Sequence, residues 1–137
     1  MKTPRTKKPR RGTILVEAAL IFLILFYLTF GMIEYGWMIL KQQQITNTAR
    51  AAARIAVRAD SVNGDVTSKI TNMMTSYQMN GSGYSTTMPA NVATVVKGAQ
   101  LSVTIQVPYN NIKLGMLTLI PTPTNLTSTV SMEKEGP

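Results

Sequence analysis

The sequence lacks both cysteine and histidine. These two absences exclude disulfides, thiol chemistry, Ser-His triads and zinc sites that depend on either ligand. No phosphate-binding glycine loop is present, and the "VNGD" turn lacks the alternating acids of a calcium loop. The acidic residues outside the apolar run are scattered over predicted turns and the C-terminal tail. We therefore predict a protein that is not an enzyme and that needs no metal or cofactor.

Acidic residues are missing from the first twelve positions, which carry six basic ones. The whole chain of 137 residues has a formal net charge of +8, but the eight basic and six acidic residues from Thr13 onward leave only +2. The high isoelectric point therefore belongs to a short tail rather than to a folded basic domain. This distribution argues against nucleic acid as a partner of the main body of the protein.

Charged residues are also rare over Thr13–Leu40, where only Glu17 and Glu34 occur, and this stretch contains no proline. As a helix it would be roughly 42 Å long, and a bilayer core needs about 20 residues. It exceeds the apolar region of a cleaved secretory signal, so we predict a retained transmembrane helix. The basic flank predicts a cytoplasmic N-terminus, and Tyr35 and Trp37 suit the opposite interface.

Glu17 is a carboxylate near the start of this apolar run. It could reach lipid head groups from about one turn inside the boundary, or it could pair with a cation. The apolar run contains no lysine or arginine. In the second interpretation, the partner of Glu17 comes from another molecule.

A basic leader that ends in Gly12, followed by "TILVE" and the apolar run, resembles the class III signal peptide of type IV pilin-like prepilins. The resemblance implies that a membrane-embedded prepilin peptidase cleaves between Gly12 and Thr13 on the cytoplasmic side. The new N-terminal residue is commonly methylated in that family. The resemblance also implies that Glu17 pairs with the N-terminal amine of a neighbouring subunit during assembly.

More specifically, the chain resembles TadE-like pseudopilins of the bacterial tight-adherence, or Flp-type, pilus system. The similarity lies in "RRGTILVEAAL", "FGMIEYGWMI", "NTARAAARIAV", "LSVTIQVPY" and "TSTVSMEKE", taken in that order. It implies a minor subunit acting in pilus assembly and cell adhesion, with other pilin or pseudopilin subunits and the inner-membrane assembly machinery as partners. Ala18 departs from the aromatic that commonly follows the glutamate, and the absence of proline argues against a kinked helix.

Beyond the apolar run, Ile45–Ala59 is predicted to continue the helix or to form a second one, because alanines favour helices. Arg50, Arg54 and Arg58 recur at every fourth position and would line one stripe. The stripe could be a solvated face, or it could contact anionic membrane lipid or acidic residues of a neighbouring subunit. DNA capture is a third interpretation, which the lack of interleaved aromatics disfavours.

The rest of the chain predicts a short helix with Asp65 as N-cap, ending at about Gln78, followed by β-structure. Strict alternation predicts a strand over residues 101–107, with further strands at 84–88, 92–96 and 126–133. The predicted fold class is α+β, a long N-terminal helix with a small antiparallel sheet covered by the helix end. The predicted segments are a leader (1–12), a transmembrane helix (13–40), an extracytoplasmic helical region (41–80) and a β-rich region (81–137).

These observations favour a single-pass inner-membrane protein with an extracytoplasmic C-terminal region, which enters a surface pilus as a minor subunit. The alternative is a bitopic envelope protein with a small exported binding domain and no role in a pilus. That alternative predicts that residues 1–12 are retained.

Overall fold

The computed structural model describes residues 11–116 and 121–135. Residues 1–10 of the predicted leader, residues 117–120 of the loop before Pro121 and the last two residues lie outside the described residues. The described part contains two α-helices, a three-stranded sheet and two short 3₁₀ turns. This arrangement confirms the predicted α+β class, with a long apolar helix before a small antiparallel sheet.

The first helix, α1, runs without interruption over Arg11–Ala56. Its 46 residues give a length of roughly 69 Å. The segment after Leu40 is therefore a continuation of the apolar helix rather than a second one. Among the described residues, α1 is the one helix that is long and apolar enough to cross a membrane, judged by length and composition, and its most apolar window is entirely unburied.

The second helix, α2, covers Asn63–Ser76, and its N-cap is Val62. The prediction of Asp65 as N-cap was wrong, because Asp65 is the third helical residue. Its carboxylate accepts a hydrogen bond from the Val62 N–H at 3.4 Å, where it also faces the positive end of the helix dipole. The Asn63 side chain instead accepts a hydrogen bond from the Val92 N–H at 2.8 Å. The side chain of Asn63, the first residue of α2, therefore binds the segment at Val92 rather than capping its own helix.

The sheet contains three antiparallel strands in the order β1-β2-β3. Their bounds are Ser85–Thr87 (β1), Gln100–Pro108 (β2) and Asn125–Glu133 (β3). The predicted strand at 92–96 was wrong, because Val92–Thr94 forms a 3₁₀ turn in which the Asn91 side chain accepts a hydrogen bond from the Ala93 N–H. Val92 is fully buried, so this residue packs in the core from the 3₁₀ turn without joining the sheet.

The core lies between the sheet, α2 and the C-terminal half of α1. One face of β2 is entirely buried, as the alternating pattern predicts. The opposite face carries cross-strand hydroxyl pairs, Ser102 with Ser131 at 2.7 Å and Thr104 with Thr129 at 2.9 Å. Small side chains on α1 let this helix pack closely against the rest of the core. The fully buried residues of these two elements are Ile45, Ala49, Ala52, Ala53 and Ala56 on α1, and Leu101, Val103, Ile105 and Val107 on β2.

Candidate functional site

The side chains of α1 divide the helix into two parts at Glu34. From Gly12 to Ile33 nearly every side chain is exposed, whereas Glu34 is only 2% exposed and contacts the folded domain. We call residues 12–33 the exposed half of α1. Its length is roughly 33 Å, close to the thickness of a bilayer core of about 30 Å. The domain therefore begins to cover α1 inside the segment 13–40 that was predicted to span the membrane.

The predicted processing and assembly residues all lie at the start of the exposed half. Gly12 and Thr13 are in the first turn of α1, and Glu17 is one turn further along with an exposed side chain. No ion pair involves Glu17 among residues 12–116 and 121–135. Thr13 and Glu17 are four residues apart and so lie on the same face of the helix.

The three arginines do not form one uniform stripe. Arg50 and Arg54 are exposed on α1, but Arg58 lies beyond the helix end and forms an ion pair with Asp60 at 3.4 Å. Both partners of that pair are well exposed, so it contributes little to stability. Arg50 borders a groove of about 340 Å³ whose other lining residues are Gln42, Gln43, Thr46 and Asn47.

The sequence did not predict a buried polar contact at the junction between the exposed half of α1 and the domain. The Tyr109 hydroxyl donates a hydrogen bond to Glu34 Oε1 at 2.8 Å, and Tyr109 is fully buried. Glu34 Oε2 has no hydrogen-bond partner among the described residues. Since a buried carboxylate is strongly disfavoured without partners, the Tyr109 hydroxyl offsets part of the cost of burying Glu34.

Three further polar contacts attach the same part of α1 to the domain. Trp37 Nε1 donates to the Ile112 carbonyl at 2.7 Å, and the Tyr35 hydroxyl donates to the Pro121 carbonyl at 3.1 Å. Lys41 Nζ donates to the Tyr77 carbonyl at 2.9 Å and lies 4.7 Å from the centre of the Trp37 ring. Burial lowers the pKa of Lys41. The two aromatics expected at a membrane interface therefore also hold the domain on the helix.

Replacing Tyr109 by phenylalanine is expected to lower the free energy of unfolding by about 1–3 kcal/mol, because both oxygens of the buried Glu34 would then lack a donor. Urea unfolding of the full chain in detergent, followed by the fluorescence of the single tryptophan, Trp37, measures this change. Tyr84→Phe is the matched control. Its hydroxyl makes only a 3.4 Å contact with Thr71, so the expected change is about 0.5 kcal/mol or less. Equal effects of the two substitutions would contradict a specific role for the Glu34 contact.

Wild type and Tyr109→Phe should also differ in how their stability depends on pH. Burial, followed by the hydrogen bond and the negative charge of Glu34, raises the pKa of Tyr109 above its usual value of 10.0. Below pH 10 Tyr109 is protonated in both the folded and the unfolded chain, so its hydrogen bond to Glu34 contributes fully to stability. Above pH 10 the unfolded chain loses the phenol proton while the folded chain keeps it, so stability falls by up to about 1.4 kcal/mol per pH unit. The stability difference between wild type and Tyr109→Phe should shrink from pH 10 upward. Lys41 acts in the opposite direction but equally in both proteins.

The geometry defines a class of protein: an α+β chain with one N-terminal apolar helix, compatible with a single pass through a membrane, whose C-terminal half carries a small domain. Residues 12–54 match the family model described as TadE-like protein, which confirms the resemblance inferred from the sequence. The match is consistent with a TadE-like pilus protein. It begins at Gly12 and covers almost all of α1, but none of the sheet. Comparison with curated proteins and with solved structures gives no match.

Proposed function

We propose that this chain is a minor pilin or pseudopilin subunit that takes part in assembly of a tight-adherence-type pilus. The observation that carries the proposal is the TadE-like match over 12–54, which begins at the glycine expected to precede the cleavage site. The partners we propose are a prepilin peptidase, other pilin or pseudopilin subunits and the inner-membrane assembly machinery. The role is structural rather than catalytic.

Charge distribution supports an orientation with the N-terminus in the cytoplasm. Six basic residues precede Gly12, and basic residues next to a membrane helix stay on the cytoplasmic side. The exposed half of α1 then spans the inner membrane, and the domain that begins at Glu34 lies outside the cytoplasm. From there the subunit can be incorporated into a surface pilus.

Cleavage between Gly12 and Thr13 would give Glu17 a partner. The cleaved chain would carry an amine at Thr13 and a carboxylate at Glu17, about 6 Å apart along the helix axis. Two parallel subunits with a stagger of about 6 Å would bring the amine of one level with the carboxylate of the other. An unpaired charge in an apolar helix bundle is strongly disfavoured, so the pair would set the register between subunits as well as attract them.

Arg50 and Arg54 are better placed to contact a neighbouring subunit than to contact lipid. Arg50 lies roughly 26 Å beyond Ile33 along α1, whereas charges in solution are screened over about 8 Å at physiological ionic strength. Head groups beside Ile33 are therefore too far away to attract it. Acidic residues on an adjacent subunit are the partners we propose for these two arginines.

The mass of the mature protein tests the proposal. Protein extracted from the membranes of cells with an active prepilin peptidase should begin at Thr13, with or without a methyl group. Gly12→Val should retain the leader, because the residue before the cleavage site no longer fits the peptidase. Gly36→Val, at another α1 glycine with open space around its Cα, should be processed normally. An intact leader on the wild-type chain would support the bitopic envelope protein instead.

A further inference from the structure

The loop after β2 is attached to α1 next to the exposed half. Ile112 near its start and Pro121 near its end offer the carbonyls that Trp37 and Tyr35 bind. Both aromatics lie within about one turn of Ile33, the last residue of the exposed half. Ile112 and Pro121 are therefore held at the level where α1 would leave the membrane.

Two apolar side chains that follow Ile112 closely in the sequence are exposed. Leu114 is 42% exposed and Met116 is 48% exposed. Single exposed apolar residues are common on protein surfaces and carry no inference by themselves. Here the Trp37 contact limits how far Leu114 and Met116 can lie from α1, because they follow the bound residue Ile112 by two and four residues, a reach of at most about 7 and 14 Å.

A groove continues this apolar surface from the loop onto the helix. Pro121 forms one wall, and α1 forms the other with residues from both sides of Glu34. None of the lining residues is charged, and the groove has a volume of about 670 Å³. The α1 residues that line it are Tyr27, Leu28, Gly31, Met32, Tyr35, Gly36 and Ile39.

We propose that the residues just after Ile112 form a second membrane contact, in which Leu114 and Met116 enter the leaflet facing the domain and a lipid acyl chain occupies the groove beside Pro121. Lys113 is exposed next to Leu114, where its ammonium suits the phosphates of anionic head groups. The inference rests on the proposed membrane span of α1. It adds that the domain is seated on the bilayer rather than held above it.

Continuity with the exposed half of α1 favours lipid as the occupant over a protein partner. No residue that lines the groove is charged, so its lining has no group that would select a particular protein. Val96 provides a contrast, since it is 74% exposed but distant from the groove. It lies in a turn that is hydrogen-bonded to Lys134. Lys134 Nζ in turn donates to the carbonyl of Ala56, the last residue of α1. That turn is at the far end of the domain, roughly 33 Å from Glu34 along α1, so Val96 should meet only water.

The absence of cysteine allows a direct test. The full chain carries one cysteine at a time, as Leu25→Cys, Met116→Cys or Val96→Cys, labelled with an environment-sensitive fluorophore and reconstituted into vesicles. Lipids brominated on their acyl chains then serve as quenchers. We expect strong quenching at Leu25, at least threefold more quenching at Met116 than at Val96, and almost none at Val96. The emission of Trp37 checks that each variant is folded.

The three positions separate the possible failures. Quenching at Leu25 with none at Met116 would overturn the loop contact and leave the membrane span intact. No quenching at Leu25 would overturn the span itself. Blue-shifted emission at Met116 that brominated lipid does not quench would assign the surface to a protein partner, such as a second copy, and would also overturn the lipid contact.

Discussion

Replacing Glu17 by glutamine is expected to lower the amount of this subunit in sheared pili at least tenfold, while the amount in the membrane stays the same or rises. Glutamine has nearly the same shape but no charge, so the N-terminal amine of the neighbour would lie unpaired in an apolar bundle. A tenfold loss corresponds to about 1.4 kcal/mol, and an uncompensated buried charge costs about 3–5 kcal/mol. Immunoblots of the pilus and membrane fractions measure the ratio.

Glu34→Gln is the matched control, since it makes the same change at the other glutamate of α1. The glutamine carbonyl can still accept the hydrogen bond from the Tyr109 hydroxyl, so we expect normal incorporation. Normal incorporation of Glu17→Gln would remove the pairing mechanism. Equal losses for both variants would show that assembly responds to the charge of α1 in general and not to a specific partner of Glu17.

Replacing Ala53 by aspartate is expected to destabilise the domain by about 3–5 kcal/mol, the scale of an uncompensated buried charge. Ala53 is fully buried where α1 packs on the rest of the core. A small domain has a total stability of about 5–15 kcal/mol, so the variant should lose a large share of it. Urea unfolding followed by Trp37 fluorescence, together with the steady-state protein level in cells, measures the effect.

Arg54→Asp controls for the helix propensity of aspartate, since it places the same residue one position further along α1 on an exposed site. The expected change in stability is about 1 kcal/mol, because an acid replaces the basic residue in the last turn of α1, where the helix dipole favours a cation. If Arg54 contacts an acidic neighbour as proposed, this variant should fold normally and yet enter pili poorly. Similar destabilisation by the two substitutions would contradict the close packing of the alanine face.

Local periodicity predicts those elements whose residues interact mainly with their own sequence neighbours. The alternation from Leu101 to Val107 predicted both the strand and its buried face, and the long apolar run predicted α1. The strand predicted at 92–96 was wrong because a short apolar run fits a strand and a buried turn equally well. For Asp65, an acid suits several positions in the first turn of a helix, so composition located the start only to within three residues.

The junction around Glu34 could not be predicted, because each of its contacts joins residues that are distant in the sequence. Tyr109 lies 75 positions from Glu34, and no spacing rule connects them. Glu34 itself was visible as a charge in the apolar run, but its burial depends on how the loop after β2 returns to α1. Gly12, Thr13 and Glu17 were predicted from a local motif. All three lie at the start of α1, and their roles stay predictions.

The unbroken course of α1 has a mechanical consequence. One rod passes from the exposed half into the core of the domain, and the contacts at Glu34 and Trp37 clamp the domain to it. A tilt of about 20°, typical of membrane helices, would therefore swing the far end of the domain, roughly 33 Å beyond Glu34, sideways by about 11 Å. If α1 spans the membrane and Glu17 pairs with a neighbouring subunit as proposed, a force on the domain would reach Glu17 through one continuous helix.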